Sequence, residues 1–353
     1  SFPSHTPARP VGQIDSAANG ALEIVKWVTA KLLNNDAPLQ TVRLLLSGQQ
    51  QAAAAAQLYG QPIQPATYQN VSAEYAEWMA DLTSEEGNIA VFYFAGHGFG
   101  NEEMQCLLLE DYNRNKFNAL DGSFNYNNLV HSVRVAKKVS HAWFFVDACR
   151  EATIVDLARG DWGRELNGNV TRLAGGISCA QVFSAAAGEG ALGEEGQTSF
   201  FSRALIEALD NNGYTTGHNG DWVVQIHSLQ HAVVVNMKRI CLAAGIPEAE
   251  IPRVTQSNPD PFPVLHQRSA DDFPKFLVKV TCVPASDNNR YVLACTCVSS
   301  DVVTSRQPDD NPWYFNLPPG QYRFEALDGD QTAMQRTEHI YMYYREIELK
   351  GEV

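Results

Sequence analysis

The sequence has few of the features that would place a protein in a membrane, in an oxidising compartment or on a nucleic acid. No apolar run approaches the roughly 18 residues that a membrane-spanning helix needs. The seven cysteines are odd in number and scattered, with no CxxC pair, which argues against a disulfide framework or zinc ligands and favours reduced thiols. Basic residues are scarce: 26 Lys and Arg stand against 40 Asp and Glu, and the net charge of −14 argues against binding to a phosphate backbone.

The N-terminal stretch "SFPSHTPARPVGQ" also lacks the apolar core of a signal peptide. Together with the reduced thiols, this predicts a cytoplasmic protein that has neither a membrane nor a nucleic acid among its partners. No metal-ligand motif is present, so we expect no metal site. At 353 residues, of which 44% are hydrophobic, the chain is long enough for one large and one small globular domain.

Residues 1–265 alternate between helical and strand-like patterns. Helical spacing begins at Asp15, a strand is expected over residues 41–47, and nearly unbroken apolar runs at Ile89–Phe94 and Ala142–Val146 are typical of strands buried on both faces. A last helical pattern covers residues 222–245. This alternation predicts an α/β domain with a mainly parallel sheet flanked by helices.

The pattern changes after the prolines between Pro259 and Pro263. Residues 266–353 contain short alternating stretches such as "KFLVKVTCV" and "NRYVLACTCV", which predict a small all-β, sandwich-like C-terminal domain. No catalytic pattern lies in this part of the chain. We therefore interpret residues 266–353 as an accessory module for packing or docking.

Chemically useful side chains follow two of the predicted strands, in "FAGHGFG" and "VDACRE". In open α/β sheets, ligands bind beyond the carboxyl ends of the strands. Cys149 is the candidate nucleophile, His97 the candidate base, and the amides of Gly98 and Cys149 the candidate oxyanion donors. Taken singly, His97 reads as a loop histidine and Cys149 as an inert thiol, but their joint placement favours catalysis. The other cysteines lie in apolar or regular segments and read as structural: Cys106, Cys179, Cys241, Cys282, Cys295 and Cys297.

The motifs "YFAGHG" and "DACR" resemble those of the caspase-like cysteine peptidases, the group of caspases, paracaspases and metacaspases. In caspases the histidine lies about 50 residues upstream of the cysteine, and His97 and Cys149 have this order and spacing. The resemblance covers Gln13 to Pro261. It implies a caspase-like fold and a peptidase in which a thioester forms on Cys149 and His97 protonates the leaving amine.

Two features depart from the caspase pattern. Residues 1–14 contain no convincing first strand, and Asp147 stands where caspases carry glutamine. An acid two residues before the cysteine resembles paracaspases and metacaspases, which cut after basic residues. Because alternate residues of a strand share a face and two residues rise roughly 6.6 Å, Asp147 could bind a basic P1 side chain while Cys149 attacks the adjacent carbonyl. The alternative is that Asp147 caps a neighbouring backbone amide.

Three other acids are weaker candidates for the P1 pocket. Asp15 lies near the position where relatives carry an acid at the start of the first helix, and Glu189 and Glu194 follow the strand "QVFSAAA". The expected substrates are proteins or peptides with arginine at P1, and lysine is left open. No cofactor is expected; calcium, which some metacaspase-like relatives need, is left open as a weakly bound ion.

The segment from Arg150 to Gly176 has the composition of a surface loop and contains Arg159, Arg164 and Arg172. In related peptidases the corresponding loop is cut during maturation, so these arginines are candidate processing sites for the enzyme itself or for an upstream protease or regulator. The resemblance to bacterial relatives also implies a role in cell death or antiviral defence. Two alternatives stay open: a catalytically silent scaffold with the caspase fold, and a caspase that cuts after aspartate.

Overall fold

The computed structural model describes residues 15–101, 103–115, 117–150, 162–166, 176–186, 189–194, 196–256 and 263–351. Residues 1–14, for which the sequence predicts no first strand, lie outside these ranges. Arg159 and Arg172 also lie outside them. The chain divides into two compact units, Ser1–Ile206 with Met237–Leu265 and Glu207–Asn236 with His266–Val353. Residues 207–236 thus group with the C-terminal part, and the division into domains 1–265 and 266–353 stays a prediction.

The helices in the described residues are α1 (Asp15–Lys31), α2 (Gln49–Tyr59), α3 (Tyr68–Leu82), α4 (Tyr126–Arg134), α5 (Phe200–Glu207) and α6 (Ile226–Ala243). None of them is both long and apolar enough to cross a membrane. The strands up to residue 256 are β1 (Asn88–Gly96), β2 (Gly98–Gly100), β3 (Gln105–Leu108), β4 (Ser123–Asn125), β5 (Val139–Ala148), β6 (Ser178–Phe183), β7 (Tyr214–Thr216), β8 (Trp222–Gln225) and β9 (Thr255–Gln256).

The main sheet of the first unit has the order β1-β5-β6-β9. β5 pairs in parallel with both β1 and β6, and β9 adds an antiparallel edge. Both faces of β5 are buried: Phe144 packs with Tyr126 of α4 on one face, and Trp143 and Phe145 stack on the other. Burial on both faces explains the unbroken apolar run, and the mainly parallel sheet flanked by helices is confirmed.

Two local predictions were wrong. Residues 41–47 form no strand; the only strand-like pairing there is a single bridge from Leu45 to Gln64. Leu46 packs instead with side chains of α1 and α2, so its apolar character reflects helix packing. The helix predicted over residues 222–245 begins only at Ile226, because the preceding residues form β8, which pairs with β7.

The strands of the C-terminal region are β10 (Val264–Arg268), β11 (Phe276–Val283), β12 (Val292–Cys297), β13 (Val303–Arg306), β14 (Trp313–Leu317), β15 (Gly320–Asp328), β16 (Gln331–Ile340) and β17 (Tyr344–Lys350). Seven of them form two sheets that share one core, with the orders β14-β11-β17 and β13-β12-β15-β16. Phe276 and Val280 from one sheet are buried in the same cluster as Phe324 and Leu293 from the other, which confirms the sandwich-like C-terminal region.

Candidate active site

The pairing of β1 with β5 brings the two sequence motifs together. In this parallel register Ala95 lies opposite Asp147 and Gly96 lies opposite Ala148. His97 and Cys149 are the next residues of the two chain segments, so they leave adjacent strands at the same level. The backbones of His97 and Cys149 therefore leave the carboxyl edge of the sheet from neighbouring strands, where ligands bind in open α/β sheets.

Gly98 lies where a side chain would crowd the backbone of Cys149. A Cβ atom at this position would lie 3.1 Å from the carbonyl oxygen of Cys149 and 3.1 Å from that of Cys106. The preceding residue is fixed as well, because the Leu108 N–H donates to the His97 carbonyl at 2.9 Å. The absence of a Cβ thus permits the close approach of the two motifs.

The thiol of Cys149 is partly exposed and has a backbone donor beside it. The N–H of Ala191 lies 3.3 Å from its Sγ atom. Ala191 belongs to the segment 189–194, and the Arg150 N–H donates to the Glu189 carbonyl of the same segment at 2.9 Å. A backbone N–H directed at sulfur is suited to stabilise negative charge there.

Asp147 is nearly inaccessible, with 4% of its surface exposed. The Ser199 hydroxyl donates to its Oδ2 atom, and the Ser202 hydroxyl lies 3.1 Å from the same atom. The Tyr93 hydroxyl is 2.6 Å from that of Ser202, so a chain of hydroxyl groups can end on the carboxylate. Burial raises the pKa of Asp147, and the hydroxyl donors oppose that shift only in part.

The sequence reasoning missed these hydroxyl groups. Ser199 precedes α5, and its Oγ accepts the Ser202 N–H at 3.1 Å, the arrangement of an N-cap. The spacing Ser-x-x-Ser in "TSFFS" was the available signal for a helix start, but only the fold shows that the cap faces Asp147. The expected alternative, in which Asp147 caps a backbone amide, differs from what is seen, because its partners here are side-chain hydroxyls.

Asp15 is the exposed first residue of α1. The following turns of the helix lie on the Asp147 side of the sheet: a Cβ at Gly20 would lie 2.6 Å from the Ser202 Oγ and 2.9 Å from the Tyr93 Oη. Ser16 is also near the segment 189–194, since its Oγ lies 3.1 Å from the position of a Cβ at Gly193. The start of α1 thus packs beside the buried carboxylate.

Glu189 and Glu194 are both paired with arginines. Arg253 donates to Glu189 from its Nε at 2.6 Å and from its backbone N–H at 2.7 Å. Partial burial opposes ionisation of Glu189, but the hydrogen bonds from Arg253 prevail and lower its pKa. Glu194 forms an exposed ion pair with Arg203 at 3.3 Å. Both charges are compensated within the chain.

Of the three candidate processing sites, the structure describes Arg164. Its backbone is bound on both sides, because its N–H donates to the Ser123 carbonyl at 3.2 Å and its carbonyl accepts the Asn125 N–H at 2.9 Å. Its guanidinium lies 3.7 Å from the ring centroid of Tyr68. A protease needs a free, extended backbone at the bond that it cuts, so this docking disfavours cleavage at Arg164.

The described residues contain no group of three or more His, Cys, Asp or Glu side chains that could hold a metal ion. The hydrogen bonds around Asp147 come from hydroxyl groups, and those around Glu189 come from an arginine and backbone amides.

The raised pKa of Asp147 predicts a specific pH dependence of stability. The folded protein holds the proton of the Asp147 carboxyl group more tightly than the unfolded chain does. The free energy of unfolding should therefore fall as pH rises from the ordinary pKa of 3.8 through the raised pKa of the folded state. Asp147→Asn should remove this contribution, and Ser199→Ala should extend it to higher pH because a donor to the carboxylate is lost. Urea-unfolding midpoints from about pH 4 to about pH 8 test this.

Ser132→Ala is the matched control for that experiment, because Ser132 is buried like Ser199 but its hydroxyl donates to the backbone carbonyl of Asn128. This control variant should show the same pH-dependent difference in urea midpoint from Asp147→Asn as the wild type shows. A difference between wild type and Asp147→Asn that is flat with pH would show that Asp147 titrates as it does in the unfolded chain.

The chain is similar to several known proteins. It is 27% identical over 143 residues to the uncharacterized protein y4kE of Sinorhizobium fredii, and the alignment spans 40% of this chain and 40% of that relative. Among solved structures it is similar to protein GSU0716 from Geobacter sulfurreducens, with a TM-score of 0.35 and 17% identity over 63% of this chain and 86% of the other. Neither similarity carries an argument about function.

The match to a family model is more extensive. Residues 56–259 match Peptidase_C14, described as the caspase domain, and this is more than half of the 353 residues. The matched range contains both strand ends that carry His97 and Cys149, as well as the buried Asp147. The chain belongs to the caspase-domain family of peptidases.

Proposed function

We propose that the protein is a cysteine endopeptidase that cleaves proteins after arginine, and less readily after lysine, with Cys149 as nucleophile and His97 as base. The observation that supports this most directly is the β1–β5 register, which brings imidazole and thiol to the same edge of the sheet. The family match supports a peptidase-type activity.

In the proposed reaction, His97 takes the proton of the Cys149 thiol as sulfur attacks the scissile carbonyl carbon. The carbonyl oxygen becomes an oxyanion that the N–H groups of Gly98 and Cys149 stabilise. Collapse breaks the C–N bond, and His97 gives its proton to the leaving amine. Water then attacks the thioester carbonyl carbon and gives a proton to His97. The C–S bond breaks, the carboxylic acid product leaves, and His97 returns the proton to the Cys149 thiolate.

Asp147 and Asp15 are the proposed acids of the P1 pocket. Glu189 and Glu194 are compensated by Arg253 and Arg203, so they add little net attraction for a cation. Asp147 is already bonded to serine hydroxyls, and a P1 guanidinium must replace these donors with its own planar pair of N–H groups. Aspartate at P1 would meet the same carboxylate and be repelled, which disfavours the alternative of a P1-Asp caspase.

The nucleophile is tested by Cys149→Ala, which should lower hydrolysis of an arginine peptide by at least about 1,000-fold. Cys297→Ala is the matched control and should keep most of the activity. This control also matters for labelling, because hydrogen bonds from Ser299 and Ser300 lower the pKa of Cys297 to about 7, which favours the thiolate form and competition for the reagent.

Labelling with a thiol-reactive peptide analogue that ends in arginine is therefore carried out in the Cys297→Ala background. Modification of Cys149 together with peptide hydrolysis supports the peptidase. A protein that folds but neither hydrolyses the peptide nor reacts with the analogue would instead support a silent scaffold.

Specificity is tested by Asp147→Asn. We expect kcat/KM for arginine peptides to fall by roughly 100-fold or more, because a buried charge pair with the substrate is lost. Alkylation of Cys149 by a small neutral reagent should change far less. Glu194→Gln is the matched control, since its carboxylate is exposed and already paired with Arg203. Equal losses in both assays would assign Asp147 a structural role.

Activation is proposed to require cleavage between Cys149 and β6, by the enzyme itself or by an upstream protease. A variant with Arg159, Arg164 and Arg172 all changed to alanine should remain a single chain and have lower activity. Since Arg164 is docked by its backbone, Arg164→Ala alone should still be processed. Mass spectrometry of active wild-type protein with an intact 150–176 segment would refute required cleavage. A cytoplasmic location is proposed on the pattern of scattered, unpaired cysteines, and a role in cell death or antiviral defence is proposed on the resemblance alone.

A further inference from the structure

Gln105, at the start of β3, is a buried side chain whose amide contacts the backbone of the proposed nucleophile. It is 2% exposed, and its Nε2 donates to the Cys149 carbonyl at 3.2 Å. The acceptor is a carbonyl oxygen, which fixes the amide orientation, because the opposite orientation would place two oxygens against each other. Its Oε1 is buried and has no hydrogen-bond partner among the described residues.

The peptide bond between Cys149 and Arg150 is thereby held at both ends. Its carbonyl accepts from Gln105, and its N–H donates to the Glu189 carbonyl at 2.9 Å. With the plane of this peptide fixed on both sides, rotation about the Cα–C bond of Cys149 is restricted. The direction of the Cys149 thiol and of its own N–H is restricted as a result.

The amide of Gln105 also contacts the second proposed oxyanion donor. A Cβ at Gly98 would lie 3.0 Å from the Gln105 Nε2, so the side chain fills the space between the Gly98 backbone and the Cys149 carbonyl. Gln105 is in turn positioned by Asn127 of α4, whose Oδ1 accepts its backbone N–H at 2.9 Å. A single buried amide thus spans the two chain segments that must together bind the oxyanion.

We propose that Gln105 is a positioning residue of the peptidase reaction, which holds the Cys149–Arg150 peptide and the Gly98 backbone in the geometry that stabilises the transition state. This inference rests on the proposed function. It concerns a group that does not touch the substrate, so its loss should affect kcat rather than KM. A buried hydrogen bond that positions an oxyanion donor is also sensitive to small displacements, which can cost about 100-fold in rate.

Gln105→Met is the principal test, because methionine has a similar length and no hydrogen-bonding nitrogen or oxygen. One amide hydrogen bond is lost, but an unsatisfied buried oxygen is removed with it, so the fold should be little affected. We expect kcat for an arginine peptide to fall by about 10- to 100-fold with KM nearly unchanged. Alkylation of Cys149 in the Cys297→Ala background should stay within about twofold, because alkylation by a neutral alkyl halide forms no oxyanion.

Gln105→Glu adds a pH signature that a structural role would not produce. At neutral pH an ionised carboxylate would face the Cys149 carbonyl and lower kcat further than methionine does. As pH falls, the introduced carboxyl group takes up a proton and regains a donor, so the activity of this variant relative to Gln105→Met should rise. Gln181→Met is the matched control: Gln181 lies on the neighbouring β6 and accepts a hydrogen bond from the Tyr126 hydroxyl of α4, and its loss should leave kcat unchanged.

A spectroscopic measurement separates this proposal from the proposed function. Cys149 is the only cysteine followed by arginine, so ¹³C-carbonyl cysteine combined with ¹⁵N-arginine labels one peptide bond in the chain. Loss of the Gln105 hydrogen bond should move this carbonyl resonance to lower chemical shift in Gln105→Met, whether or not the protein hydrolyses peptides. An unmoved resonance, or equal losses of hydrolysis and alkylation, would overturn the role of Gln105. A wild type without hydrolysis but with the expected resonance change would overturn the peptidase function, and would leave only the hydrogen bond from Gln105 to the Cys149 carbonyl established.

Discussion

The parallel pairing of β1 with β5 is the constraint on which the rest of the candidate site depends. Each strand continues past the sheet edge into a polar segment, and the register decides which residues of the two segments meet. With Ala95 opposite Asp147 and Gly96 opposite Ala148, His97 and Cys149 follow at the same level. A shift by one residue would turn each side chain of one strand to the other face and separate the pair. The aromatic burial on both sides of β5 therefore positions the chemistry as well as stabilising the fold.

A buried carboxylate gives the site its electrostatic character. Burial disfavours ionisation of Asp147, and the hydroxyls of Ser199, Ser202 and Tyr93 form a polar environment that supports the charged form. A buried carboxylate is less well stabilised than one in water. A cation that enters the pocket would therefore gain more electrostatic interaction energy from this carboxylate than from an exposed one. The same residues connect β5 to the start of α5, which links the candidate P1 pocket to the helical layer. By contrast, Glu189 and Glu194 lie in the segment beside the thiol but are compensated by arginines.

The segment 189–194 and the β2–β3 hairpin both contact Cys149 and the peptide bond that follows it. The first supplies the Ala191 N–H to sulfur and the Glu189 carbonyl to the following peptide, and the second supplies the Gln105 amide. Preorganised backbone and amide dipoles of this kind stabilise developing charge without reorganising during the reaction. The thiol environment is consequently built from three chain segments that are distant in sequence.

Residue patterns by themselves determined the α/β alternation, the β-rich C-terminal part and the two motifs at strand ends, because buried parallel strands need unbroken apolar runs and polar residues must follow where the sheet ends. The same patterns were misleading at residues 41–47 and 222–225, where apolar spacing is compatible with more than one structure. Only the tertiary structure decided the contacts between distant residues. Ser199 and Ser202 form hydrogen bonds with Asp147, Arg253 forms an ion pair with Glu189, and Gln105 donates to the Cys149 carbonyl. These contacts join residues 44 to 64 positions apart, and nothing in the local sequence specifies which distant partner a polar side chain will meet when the layers pack.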